Sequence, residues 1–112
     1  MLGDYRFESY LDEQLYLALY EAGFRPIPQY KVGQYSVDFA ITSDEQKLAI
    51  EIDGQQFMDH KISQRNYIRD QKIKELGWDV MHFYVEQIHN NMPSCIEKIH
   101  KKWGRKESRR CQ

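Results

Sequence analysis

Asp38, Glu51 and Asp53 are the residues whose type and spacing could do chemistry. Asp38 lies within YSVDFAI, where Tyr35, Val37, Phe39 and Ile41 alternate with Ser36, Asp38 and Ala40. That period of two predicts a half-buried strand. Glu51 and Asp53 close the apolar run in KLAIEIDGQQF. Two residues apart, they share one face of the next strand. Adjacent strands lie about 4.8 Å apart, so Asp38 and Glu51 can converge on a single ion. A buried carboxylate pair without compensation is costly. A hard divalent cation, Mg²⁺ or Mn²⁺, relieves that cost because it prefers oxygen ligands and keeps several waters. Held this way, it can activate water and neutralise charge on a phosphate. The plainer reading is a set of solvated strand carboxylates and an ordinary Asp53-Gly54 turn.

The elements that must position these acids follow from periodicity. Ser9 as N-cap, Asp12 three residues on, and Leu11, Leu15, Ala18 and Leu19 at helical spacing predict a helix over about 9–22, stopped by Gly23. Pro26 and Pro28 lead into a short edge strand, Gly33-Gln34 makes a tight link, and the polar TSDEQ separates the two strands that carry the acids. From about Met58 to Leu76 the pattern becomes helical, with Ile62, Tyr67, Ile68, Ile73 and Leu76 as the expected apolar stripe. WDVMHFYV is a fourth strand, with Trp78 and Phe83 as core residues. A last helix over about 86–103 is interrupted near Asn91, with Pro93 in the restarted first turn. The helix between the third and fourth strands is a crossover, which makes those strands parallel neighbours. The fold class is α+β, a mixed four-stranded sheet flanked by helices.

The 112 residues are one domain's worth: a core over about 9–103 and a basic tail over about 104–112. Apolar residues make up 41% and charged residues 29%, a soluble globular profile with a modest core. No run approaches the roughly 20 apolar residues of a membrane span, and MLGDYRFESY has no signal pattern, so the expected location is cytoplasmic with no membrane partner. Cys95 and Cys111 form neither a zinc pair nor a disulfide framework and are expected as reduced thiols, Cys95 as core filler. The net charge of −1 does not advertise a nucleic-acid partner, but its distribution is uneven. From Ile96 to Gln112 seven basic residues face two acidic ones, a local +5 that leaves −6 on the remainder. Such a segment can contact phosphates or simply be a solvated terminus.

VGQYSVDFAI, then KLAIEIDGQQF, then YIRDQKIKELGWDVMHFYVEQI resembles the small Vsr-like, DUF559-type branch of the PD-(D/E)XK nuclease superfamily. No single piece is specific; the ordered set of D, E-x-D-G, R-D, G-W-x-V and a following Glu, spanning about Ser9 to Ile99, carries the resemblance. It implies a restriction endonuclease-like αβββαβ core, the order that periodicity also suggests. Asp38 matches the first metal-binding Asp, with Val37 in place of the proline, and Glu51 matches the second metal ligand. Asp53 stands where the superfamily's lysine would be. Asp12, with Glu13 beside it, most nearly matches the acid of the first helix, although it also reads as a capping-box residue. Asp70 matches an acid of the second helix, and Glu86 the Glu after the last strand. The family usually has a histidine four residues after the glycine of E-x-D-G; here that position is Met58. Either the loop is longer and His60 acts as acid, base or water-orienting group, or the position is lost. His82 replaces the basic residue, usually Arg, that the family carries before the strand's Phe.

The second helix adds Lys61, Arg65, Arg69, Lys72 and Lys74, of which Arg65, Arg69 and Lys72 fall at i, i+4 and i+7. That face could grip phosphates beside a scissile bond or be a solvated helix face. The resemblance implies a Mg²⁺- or Mn²⁺-dependent endonuclease acting on duplex or branched DNA in repair, restriction or mobile-element settings. Specificity would then come from a homodimer partner, a larger chain or a complex. The alternative is a catalytically degenerate nucleic-acid-binding or interaction module, favoured by Met58 at the histidine position.

Overall fold

The structure is a computed structural model that describes residues 10–54 and 60–110, with side chains described at 10–54 and 64–104. The elements run α1 (Tyr10–Glu21), β1 (Ile27–Val32), β2 (Tyr35–Thr42), β3 (Lys47–Asp53), α2 (His60–Glu75), β4 (Asp79–Tyr84), α3 (Val85–Asn90) and α4 (Met92–Arg110). The sheet order is β1-β2-β3-β4. The first three strands pair antiparallel, and β4 pairs parallel to β3 across the α2 crossover. The mixed sheet expected from the sequence is therefore present. So is the break in the last helical stretch: Asn91 separates α3 from α4, and its carbonyl accepts from the Cys95 N–H at 3.3 Å. The second of these helices continues to Arg110, through most of the segment expected as a tail. No helix among the described residues is long and apolar enough to cross a membrane.

Local chemistry explains the chain reversals. Gly23 (φ +100°) ends α1: the Phe24 N–H reaches the Leu19 carbonyl at 3.0 Å and the Gly23 N–H the Tyr20 carbonyl at 3.1 Å, a Schellman arrangement that seats Phe24 in the core. Gly33 (φ +61°) opens the two-residue link between Val32 and Tyr35, with the positive first turn position of a type II′ hairpin.

The sheet separates two unequal cores. On one face α1, α3 and α4 contribute Leu15, Leu19, Ile88, Cys95 and Ile99 against Phe39, Ile41, Leu48, Ile50 and Phe83. On the other, Ile73 of α2 and Trp78 pack with Val32, Val37, Ala40 and Ala49. The buried Cys95, Trp78 and Phe83 are core residues, as expected. Two expectations need correction. Val37 and Phe39 do not share a face, because Val37 packs with Ala40 and Ala49 while Phe39 joins the opposite cluster. The alternation of β2 breaks at Asp38. Across from it, between the pairs Pro28↔Phe39 and Tyr30↔Val37, Gln29 takes a left-handed φ of 51°. A left-handed non-glycine residue costs roughly 1–2 kcal/mol, which neighbouring packing must offset.

The second correction concerns α2. Tyr67, Ile68 and Leu76 are 60%, 57% and 52% exposed, and the side chain of Ile62 lies outside the described residues. The inward stripe is instead Asn66, Arg69, Asp70 and Ile73, at i, i+3, i+4 and i+7. The helical period is right, but three of these four positions are polar, because that end of α2 lies over the acids of β3 and not over a hydrophobic core. Ile73 is therefore the apolar anchor of α2 among its described side chains. Replacing Ile73 by Ala is expected to cost about 2–5 kcal/mol in urea unfolding, whereas Ile68→Ala should stay within about 0.5 kcal/mol. Equal losses at the two positions would contradict this orientation of the helix.

Candidate active site

The β2–β3 ladder runs from Thr42↔Lys47 to Phe39↔Ile50. One step further, Asp38 and Glu51 face each other, and their side chains take over the bonding. The Asp38 N–H donates to Glu51 Oε1 at 3.1 Å, and the Ile52 N–H donates to Asp38 Oδ2 at 2.7 Å. Each carboxylate thus accepts a backbone amide of the opposite strand. Amides that would otherwise be unpaired are satisfied, and both acids are fixed at the open end of the pair.

Glu51 is 4% exposed, and such a buried charge requires a partner. Arg69 of α2 supplies it: its Nη2 forms an ion pair with Glu51 Oε2 and also donates to the Ser36 carbonyl at 3.0 Å. Glu51 Oε2 is buried and has no hydrogen-bond partner among the described residues, so the ion pair is its compensation.

Beside this pair lies a second cluster. β3 and β4 run in register, Glu51 beside His82 and Asp53 beside Tyr84. His82 Nδ1 meets Asp53 at 3.1 Å and His82 Nε2 meets Asp70 at 2.5 Å. Both ring nitrogens face carboxylates, and only imidazolium can donate to both. The hydrogen bond to Asp53 does most to raise the His82 pKa above 6.5; burial opposes it, and the bond to Asp70 adds to the rise. A cleft of about 410 Å³ opens over this cluster, lined by Asp53, Tyr67, Asp70, Lys74, His82 and Tyr84 among others.

The structure therefore joins Asp38 with Glu51, and Asp53 with Asp70 through His82. Asp12 is buried in α1, on the opposite sheet face from α2 and one turn before Tyr16, whose ring lies 6.4 Å from that of Phe39. Glu86 is exposed in the first turn of α3. His60 begins α2, but its side chain and that of Lys61 lie outside the described residues, as does Met58. Arg65 and Lys72 are exposed, whereas the Arg69 guanidinium turns in to Glu51 and leaves the expected basic face divided. His82 is the residue whose importance the sequence reading underweighted. The available signal was positional: a basic residue on the same face of β4 as Val80 and Tyr84, next to a strand ending in acids.

The raised pKa gives a pH dependence with a definite sign. A group protonated more readily in the folded state contributes stability that is fully present below its unfolded pKa of 6.5 and is lost as pH rises through the folded value. The stability gap between wild type and His82→Gln, from urea unfolding between about pH 6 and pH 9, should be largest at the acidic end and shrink with rising pH. A gap independent of pH would mean that folding leaves the His82 pKa unshifted, and a gap that widens with pH would mean that the fold favours the neutral ring.

Comparison with known proteins gives concordant relationships. A restriction endonuclease-like family model, REase_MTES_1575, matches residues 11–103. An uncharacterized protein of Haemophilus influenzae is 31% identical over 78 residues, which cover 70% of this chain and 63% of that protein. The chain thus spans less than two thirds of that relative's length. The catalytic domain of the homing endonuclease I-Bth0305I has a similar fold, with a TM-score of 0.69 at 18% identity, covering 86% of this chain and 95% of that one. The matched stretch runs from α1 to the middle of α4, most of the chain, so the chain belongs to the restriction endonuclease-like family REase_MTES_1575.

Proposed function

We propose that this protein is a divalent-metal-dependent endonuclease of the PD-(D/E)XK type, of the Vsr-like, DUF559 branch, hydrolysing phosphodiester bonds in DNA. The observation that carries the reading is the reciprocal locking of Asp38 and Glu51 where β2 and β3 part. Sheets do not ordinarily bury a carboxylate at a strand end, and a site that must hold a cation explains why one is kept there. The homing endonuclease domain of like fold supports DNA as the substrate class.

The residues present fit a Mg²⁺ or Mn²⁺ ion as a two-carboxylate site. Asp38 and Glu51 are hard oxygen donors, and the buried Glu51 Oε2 has the Arg69 guanidinium as its single partner among the described residues. Among the described residues no group of three or more His, Cys, Asp or Glu is arranged for a metal, so water and phosphate oxygens would complete the shell, a usual pattern for Mg²⁺. When bound, the ion would supply an activated water and neutralise charge on the phosphate under attack. Asp38 and Glu51 hold their places through backbone bonds and need no rearrangement to act together. His82 keeps Asp53 and Asp70 from repelling one another, which preserves an ordered wall beside the scissile phosphate. Exposed Arg65, Lys72 and Lys74 of α2 offer phosphate contacts that position the strand without reading its sequence. Target choice then falls to a second copy, a longer chain or a partner.

A second reading, a nucleic-acid-binding module without turnover, is favoured by one observation: Arg69 already neutralises Glu51. Nicking of supercoiled plasmid with Mg²⁺ or Mn²⁺ separates the two. Asp38→Asn and Glu51→Gln keep an acceptor oxygen for the backbone amides and should stay folded by circular dichroism. Each should lose at least about a hundredfold in nicking rate. Wild-type rates in either variant would refute the assignment of that acid, and DNA binding without nicking in either metal would favour the module.

A further inference from the structure

We infer that Arg69 is an internal stand-in for the metal: a positioning residue that holds Glu51 in place and must yield it when a divalent cation binds. The inference rests on the metal-site reading above and goes beyond it, because it assigns the occupant of the site in the metal-free protein. Three observations on different groups carry it.

Glu51 is almost wholly buried, and its two oxygens have separate partners. Oε1 accepts the Asp38 N–H, whereas Oε2 meets only the Arg69 guanidinium among the described residues. The oxygen free of backbone duty is the one a metal would take, and Arg69 covers it. A divalent ion and a guanidinium cannot both sit against one buried oxygen, since like charges at that distance repel strongly in a poorly screened site.

Arg69 is also built to leave. It is about a quarter exposed, and its other bond goes to the Ser36 carbonyl, a neutral acceptor at the rim of β2. Arg65 and Lys72 stand one turn away on either side of it along α2, at positions open to solvent. A guanidinium swung off Glu51 would join those cations on the outer surface, where a phosphate ester could take the place of the lost carboxylate. Unlike Arg69, the cation on the neighbouring acids has no such exit: His82 is clamped on both ring nitrogens. The two counter-ions of the site thus differ in kind, one fixed and one exchangeable.

Calorimetry with Mn²⁺ at neutral pH tests this on wild type, Arg69→Gln and Arg69→Lys. Removing a competing cation beside a carboxylate is expected to tighten Mn²⁺ binding about tenfold or more in Arg69→Gln. Arg69→Lys, which keeps the charge, should stay near wild type. Binding should vanish in Arg69→Gln/Glu51→Gln, which locates the gain at that carboxylate. If wild type binds Mn²⁺ and folded Arg69→Gln binds it equally or more weakly, the stand-in role is wrong while the metal site survives. If neither binds, with or without a short duplex, both readings fall. Should Arg69→Gln not fold, wild type still decides: Mg²⁺ saturation, followed by calorimetry, should move the Arg69 Nε–H resonance towards that of a solvent-exposed arginine. Mg²⁺ binding that leaves this resonance unmoved would overturn the proposal.

Discussion

The β2–β3 pair stops hydrogen bonding as a ladder at Phe39↔Ile50, three residues before β3 ends, and the rest of the site depends on how that gap is closed. Two carboxylates close it, each accepting an amide from across the gap. An asparagine or serine could satisfy the same amides at no electrostatic cost. Acids do it here, so two negative charges stand side by side in a partly buried place, and Arg69 of α2 turns in to compensate them. Asp38 breaks the alternation of its strand, Gln29 opposite adopts a left-handed backbone, and α2 turns polar residues inward. These departures from ideal local structure cluster within a few residues of one another. Concentrated strain of that kind marks a site shaped for something besides folding.

The inward stripe of α2 shows how the compensation is arranged. A helix crossing a sheet would normally bury apolar residues along its length, yet here only Ile73 does so fully among the inward four. The helix exchanges hydrophobic stabilisation at its site end for an ion pair to Glu51 and a contact to His82. Buried ion pairs seldom exceed a well-packed apolar contact in stabilising a fold, so the other face of the sheet must supply what α2 does not. It does: the α1, α3 and α4 side holds the larger cluster, with Phe39, Leu15, Leu19, Leu48, Ile50, Ile88 and Ile99 all nearly sealed from solvent. One face carries the larger apolar core and the other the cluster of acids and their counter-ions.

This division also explains what was legible in the sequence. Strands β2 and β3 and the parallel placement of β4 follow from period-two patterning and the crossover rule, because those segments face one core or both. Asp38 and Glu51 were found because acids inside apolar strands violate the pattern. Where the pattern itself is suspended, the reading failed. Tyr67 and Ile68 look like core residues by type, but the stripe they belong to faces water, since the polar neighbours at 66, 69 and 70 are drawn to the acids. Val37 and Phe39 look like partners by spacing, but the break in alternation at Asp38 separates them. His82 was underweighted because its significance lies in two acids 29 and 12 residues away in the chain; the β3–β4 register closes the first distance and the packing of α2 against β4 the second.

The charges gathered at this end of the sheet give the final constraint. Four carboxylates, Asp38, Glu51, Asp53 and Asp70, meet Arg69 and the imidazole of His82, whose pKa they raise, so that even with His82 protonated two negative charges are left uncompensated. A single divalent ion cancels that residue of charge. Were it to enter with Arg69 still seated, the site would be neutral but Glu51 Oε2 would face two cations. With Arg69 withdrawn to the rim, the inner site returns to a net negative charge, and the guanidinium becomes available to an incoming phosphate. Metal and phosphodiester would therefore favour each other's binding through the exchange of one side chain, a linkage that must be reciprocal. On the proposed metal site and its exchange with Arg69, a divalent ion would be held loosely alone and firmly once a phosphodiester is present.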